Sequence, residues 1–64
     1  MKSYTRFSEI ISQKGITPYR VAVDTGISPM TLSDWKNDKS KPKLDKMLKI
    51  AQYLECDVSE FADE

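Results

Sequence analysis

PYRVAVDTGISPMTLSDW, residues 18–35, is the stretch whose reading decides the fold. Thr17 stands just before it as a hydroxyl N-cap, with Pro18 at the first helical position, and Ser28-Pro29 repeats that pair eleven residues on. Each cap follows an isoleucine, Ile16 or Ile27, and precedes an apolar residue at the fourth helical position, Val21 or Leu32. That is the arrangement of a hydrophobic staple. Two helix starts so close leave room for about two turns of helix between them. Gly26 supplies the positive φ of a sharp turn, and Ala22 is small where two helix axes must approach. Val21, Ile27, Leu32 and Trp35 are expected to face inward, and Met30, Thr31, Ser33 and Asp34 outward. The stretch therefore reads as two short helices across a tight turn, the second running from Pro29 to about Asn37 with its outer face free.

The flanks supply the rest of a core. Tyr4, Phe7, Ile10 and Ile11 recur at helical spacing and predict a helix over about residues 4–13, capped by Ser3 or Thr5 and ended at Gly15. NDKSKPK, residues 37–43, is a polar loop rich in helix breakers. Beyond it Leu44, Met47, Leu48, Ala51 and Leu54 form a helical stripe, with Ile50 and Tyr53 on its flank, and the helix should end at Leu54 or Glu55. Asp57 and Glu60 have the spacing of a capping box, stapled by Cys56 and Phe61, so a last helical turn is expected there with Cys56 as a small buried hydrophobe. No stretch reads as a strand. The expectation is an all-α bundle of five short helices, a single domain over residues 1–64 with its helix-turn-helix at about 17–37.

Composition narrows the function. A 64-residue chain has a stability of roughly 3–10 kcal/mol, so nearly every apolar side chain is needed inside and a filled interior is expected in preference to an exposed apolar patch. There is one cysteine, no histidine and two glycines, hence no internal disulfide, no Cys/His metal cluster, no catalytic triad and no phosphate-cradling loop. The carboxylates Asp57, Glu60, Asp63 and Glu64 are explained by capping and solvation. No cofactor, metal or enzymatic activity is expected. No apolar run reaches the length of a membrane span and the N-terminus lacks a signal-peptide core, which together suggest a cytoplasmic protein. Formal net charge is zero, but it is unevenly spread: residues 36–49 carry six lysines against two aspartates, and residues 50–64 carry only acids among their charged types. A lysine-rich loop is either a solvated surface or a phosphate-binding one.

The match KGITPYRVAVDTGISPMTLSDWKNDKSKPKLDKMLKIAQYL resembles the Cro/C1-type (XRE) helix-turn-helix family, the lambda-repressor-like domains of phage and bacterial regulators. It takes in Gly15, the Ala22/Gly26 pair, the Lys41-Pro42 dipeptide and the Leu-rich fourth helix, and Phe7 to Phe61 covers over four-fifths of the chain. The resemblance implies sequence-specific binding of double-stranded DNA by a transcriptional regulator, with residues 28–37 as a recognition helix in the major groove. It places Ser28, Pro29, Met30, Thr31, Ser33 and Asp34 near the base edges. It places Thr17, Pro18, Tyr19, Lys36, Asn37, Lys39, Lys41 and Lys43 near the phosphates, where helix-start N–H groups and a lysine loop at 36–43 suit an anion. Relatives commonly bind palindromic operators as homodimers, with the end of the fourth helix and the region from Tyr53 to Phe61 as candidate dimer surfaces.

The chain departs from the family at its reading face. Many relatives have glutamine where Pro18, Pro29 and Met30 stand. Glutamine pairs bidentately with adenine, whereas methionine offers apolar contact such as to a thymine methyl, and Asp34 an acceptor for a cytosine amino group. Asp34 reads equally as a solvated surface charge, Tyr19 as a phosphate or water contact, and Trp35 as core with base stacking the alternative. Asp38 and Glu55 replace frequent glycines and are expected in left-handed backbone. Ile11 and Lys36 stand where some relatives have an arginine–glutamate pair. These departures, with the zero net charge and acidic C-terminus, motivate a second reading: a protein-interaction module of the same fold, an anti-repressor or antitoxin-like subunit.

Overall fold

Hydroxyl caps start the two central helices. Thr17 Oγ1 accepts from the Arg20 amide at 3.2 Å and Ser28 Oγ from the Met30 amide at 3.1 Å, each with proline opening the helix. In the computed structural model, which describes residues 3–61, these helices are α2, Pro18–Thr25, and α3, Pro29–Lys36. They are preceded by α1, Ser3–Lys14, and followed by α4, Leu44–Leu54, and a 3-10 turn, Val58–Glu60. There is no strand among the described residues. The five expected helices are thus four α-helices and one short turn, and no helix among the described residues is long and apolar enough to cross a membrane.

The helix ends share one device. After α1, α3 and α4 the chain passes through a left-handed residue, Gly15 (φ 71°), Asp38 (φ 62°) and Glu55 (φ 58°). The next amide then reaches back to the helix: Ile16 to the Ile11 carbonyl at 2.9 Å, Lys39 to Asp34 at 2.8 Å, Cys56 to Ala51 at 3.0 Å. This is the Schellman closure, which satisfies carbonyls that would otherwise be orphaned. After α2, Gly26 (φ 77°) donates to the Ala22 carbonyl at 2.9 Å, and a Cβ added at Gly26 would meet nothing within 4 Å. Backbone conformation, not space, requires glycine there. At Glu55 the left-handed conformation costs about 1–2 kcal/mol for a side-chain-bearing residue, against about 0.5–1 kcal/mol for the extra backbone entropy of glycine. Glu55→Gly should therefore stabilise the domain by about 0.5–1 kcal/mol, a rise of about 2–8 °C in thermal midpoint readable by circular dichroism.

One core joins the elements. Phe7, Ile10 and Ile11 from α1, Val21 and Ala22 from α2, and Ile27 from the turn meet Leu32 and Trp35 from α3. Met47, Ile50, Ala51 and Leu54 from α4 and Phe61 complete it. Four aromatic rings form its hub: Trp35 lies 4.9 Å from Phe7, 5.3 Å edge-on from Tyr4 and 6.0 Å from Phe61 between centroids. Trp35 is thus core, as its spacing suggested.

Four local expectations are corrected. The inward stripe of α4 is Met47, Ile50, Ala51 and Leu54, while Leu44 and Leu48 are 63% and 44% exposed. Leu48 lies one residue, about 100°, round from Met47, and the face turned inward is the one that carries Ile50. With Val23 also exposed, the filled interior leaves more apolar surface outside than composition suggested. Ser3 and Thr5 fall within α1, and the Ser3 hydroxyl accepts from the Trp35 indole N–H at 2.8 Å. Asp57 does cap the last turn, accepting from the Ser59 amide at 3.1 Å, but the Glu60 carboxylate takes Arg6 at 2.6 Å in place of closing the box. Finally, Cys56 is half-buried against the core and not enclosed by it, and burial pushes its thiol pKa up.

Candidate nucleic-acid interface

Leu32 and Trp35 hold α3 to the core, so helical geometry turns the opposite face of α3 outward. Pro29, Met30 and Ser33 are exposed, Met30 by 67%, whereas Thr31 and Asp34 are half-buried at the helix edges. The outward face is therefore narrower than the outward set read from the sequence. Its chemistry is sparse: an apolar thioether at Met30 and the Ser33 hydroxyl, which accepts from Asn37 Nδ2 at 3.5 Å, with the Asp34 carboxylate at its edge. Asp34 uses its backbone carbonyl to hold the Lys39 amide, and its carboxylate takes no hydrogen bond or ion pair from the described residues. Ser28 is occupied as the cap.

The loop after α3 is fixed at both ends. The Asp38 left-handed turn pins Lys39 against α3, and Pro42 is buried, anchoring the segment that leads into α4. Lys36, Asn37, Lys39, Lys41 and Lys43 are all exposed along this path. Lys43 also stands at the N-cap of α4, where its side chain makes no capping bond. Thr17, Pro18 and Tyr19 at the start of α2 are also exposed, Tyr19 by 72%.

The start of α2 and the length of α3 share a cleft of about 280 Å³, walled by Pro18 and Tyr19 of α2 and by Pro29, Leu32, Ser33 and Lys36 of α3, with Tyr4 of α1 at its edge. The structure thus brings together Pro18, Tyr19, Pro29, Ser33 and Lys36. Met30 and Asp34 stand outside this cleft, and Lys39, Lys41 and Lys43 lie along the loop.

Two features were not legible beforehand. Tyr4 has the spacing of a core residue of α1, yet it packs edge-on against Trp35 and also lines the cleft. Asp24 receives two donors on one oxygen, Arg20 Nε at 3.0 Å and the Tyr53 hydroxyl at 2.5 Å, and so ties α2 to the far end of α4. The Asp24 hydrogen bond pushes the Tyr53 phenol pKa up. Arg20 and Asp24 are one helical turn apart and could have been paired from sequence; Tyr53 is 29 residues further on and carries no local signal. Among the described residues no three His, Cys, Asp or Glu side chains gather where they could hold a metal ion.

Residues 6–63 match the family model of the Cro/C1-type HTH DNA-binding domain. No curated protein and no solved structure matches the chain.

Proposed function

The chain belongs to the Cro/C1-type helix-turn-helix family of DNA-binding domains, and from that premise we propose that it is a small sequence-specific transcriptional regulator of the repressor type. The family is one of DNA-binding domains, not of enzymes. In the proposed complex α3 enters the major groove. Met30 meets a base edge through apolar contact, Asp34 accepts from an amino group, and Pro29, Ser28, Thr31 and Ser33 shape the fit around them. Thr17, Pro18 and Tyr19 at the start of α2 and Lys36 at the end of α3 meet the phosphate backbone, and Asn37, Lys39, Lys41 and Lys43 carry that contact along the following loop. We read residues 1–64 as a single domain that acts in the cytoplasm as a homodimer on a palindromic operator, with half-sites about one helical turn apart.

The observation that carries this reading is the outer face of α3. It is the exposed side of a helix fixed by Leu32 and Trp35, flanked on one side by the start of α2 and followed by a lysine loop locked by the Asp38 turn. Selection from a pool of random duplexes at low salt tests it. A regulator of this kind should enrich a defined motif over successive rounds; recovery of the pool unchanged would refute sequence-specific binding.

A further inference from the structure

We propose that the cleft between α2, α3 and Tyr4 is the seat of one DNA backbone phosphodiester, which makes Tyr4 of α1 a DNA-positioning residue outside the helix-turn-helix. The proposal rests on the DNA-binding reading above and adds to it a site and a residue.

The chemistry of the walls points to an anion with an apolar neighbour. Pro18, Pro29 and Leu32 supply apolar surface suited to a deoxyribose. The polar side chains are two phenols, one hydroxyl and one ammonium, from Tyr4, Tyr19, Ser33 and Lys36. Each can donate a hydrogen bond. No carboxylate lines the cleft, although the chain has as many acids as bases. Neither phenol nor the Lys36 ammonium has a hydrogen-bond or ion-pair partner among the described residues.

Tyr4 is also held in place. Its ring packs edge-on to Trp35 at 5.3 Å and against Phe7 at 5.4 Å, so little side-chain entropy is left to lose when its hydroxyl meets a ligand. Its phenol is a hydrogen-bond donor at neutral pH, and burial pushes its pKa further up. A second, more open groove continues from Tyr4 and Lys36 along α1, past Thr5, Ser8 and Ser12. It includes the Glu9 carboxylate, paired with Arg6 at 3.3 Å. That negative charge assigns the phosphate to the first cleft, not to the second.

The test measures binding of the full chain to a random-sequence duplex of about two helical turns across a salt series, for wild type, Tyr4→Phe, Lys36→Gln and the double variant. Phenylalanine keeps the ring packing, and affinities are compared on the folded fraction established by circular dichroism. Tyr4→Phe should weaken binding about 3- to 10-fold, the net worth of one hydrogen bond, with the salt slope unchanged. Lys36→Gln should weaken binding and make the slope shallower by about 0.9, the signature of one lost phosphate contact. The double variant should lose less than the product of the two, because both act on one phosphate. If wild type binds and the variants match it in affinity and slope, the cleft proposal is overturned alone. If wild type binds no duplex, the DNA reading falls and the cleft with it.

Discussion

Trp35→Ala is expected to remove most of the protein's stability. The side chain is 2% exposed and lies among Tyr4, Phe7 and Phe61, and its indole N–H donates to Ser3 Oγ at 2.8 Å. Replacing a buried tryptophan by alanine costs about 3–5 kcal/mol, through lost transfer energy and the cavity left behind. A domain of this size has roughly 3–10 kcal/mol in total. Because Trp35 is the residue through which α3 meets the α1 rings, the loss also frees the reading helix. Trp35→Phe keeps a ring in the cluster and should be far milder, since the Ser3 hydroxyl it abandons is only half-buried and can turn to water. Urea unfolding followed by circular dichroism checks both. An alanine variant within about 1 kcal/mol of wild type would mean that the aromatic hub does not hold the bundle together.

The second large effect is on binding. With formal net charge zero, attraction to DNA has to come from where the charges stand and not from their sum. Four lysines, Lys36, Lys39, Lys41 and Lys43, are exposed along and after α3. If each neutralises one phosphate, the slope of log affinity against log salt should be about −3.6, and affinity for random duplex should fall about 150-fold for a fourfold rise in salt. Asp38 lies within the same segment and lowers its net charge, so the slope from these four lysines should not exceed that figure. Replacing Lys39 by alanine should weaken all duplexes alike and flatten the slope by about 0.9. Fluorescence anisotropy over a salt series measures both quantities. A slope near zero would remove the lysine loop from the interface.

What could be read from the sequence was what local chemistry determines. The caps at Thr17 and Ser28 depend on groups within three residues of each other, and both formed as spaced. The turn at Gly26 needs only a positive φ, and it has one. Asp38 and Glu55 were expected in left-handed backbone because they replace glycines of the family, and both adopt it. The misses are tertiary. The apolar residues of α4 outline two overlapping stripes, and only the helices it meets decide that Ile50 goes in while Leu44 and Leu48 stay out. Glu60 had a local partner by spacing but found Arg6, 54 residues away. Ser3 had a capping role by position but met Trp35, 32 residues away. Of the candidate site, the free face of α3 was legible from the inward set Leu32 and Trp35. The cleft was not, because one wall comes from α1 and no pattern within residues 17–37 points to Tyr4.

The outer face of α3, at Met30, and its edge, at Asp34, are expected to read bases. The direct measurement is selection of random duplexes run in parallel on wild type, Met30→Ala and Asp34→Asn. Both residues lie off the core, so the variants should keep the fold. Wild type should enrich one motif. Each variant should still bind DNA but with a changed preference at one position of the half-site, Asp34→Asn exchanging an acceptor-only group for one that also donates. The same motif recovered from all three proteins would contradict the account.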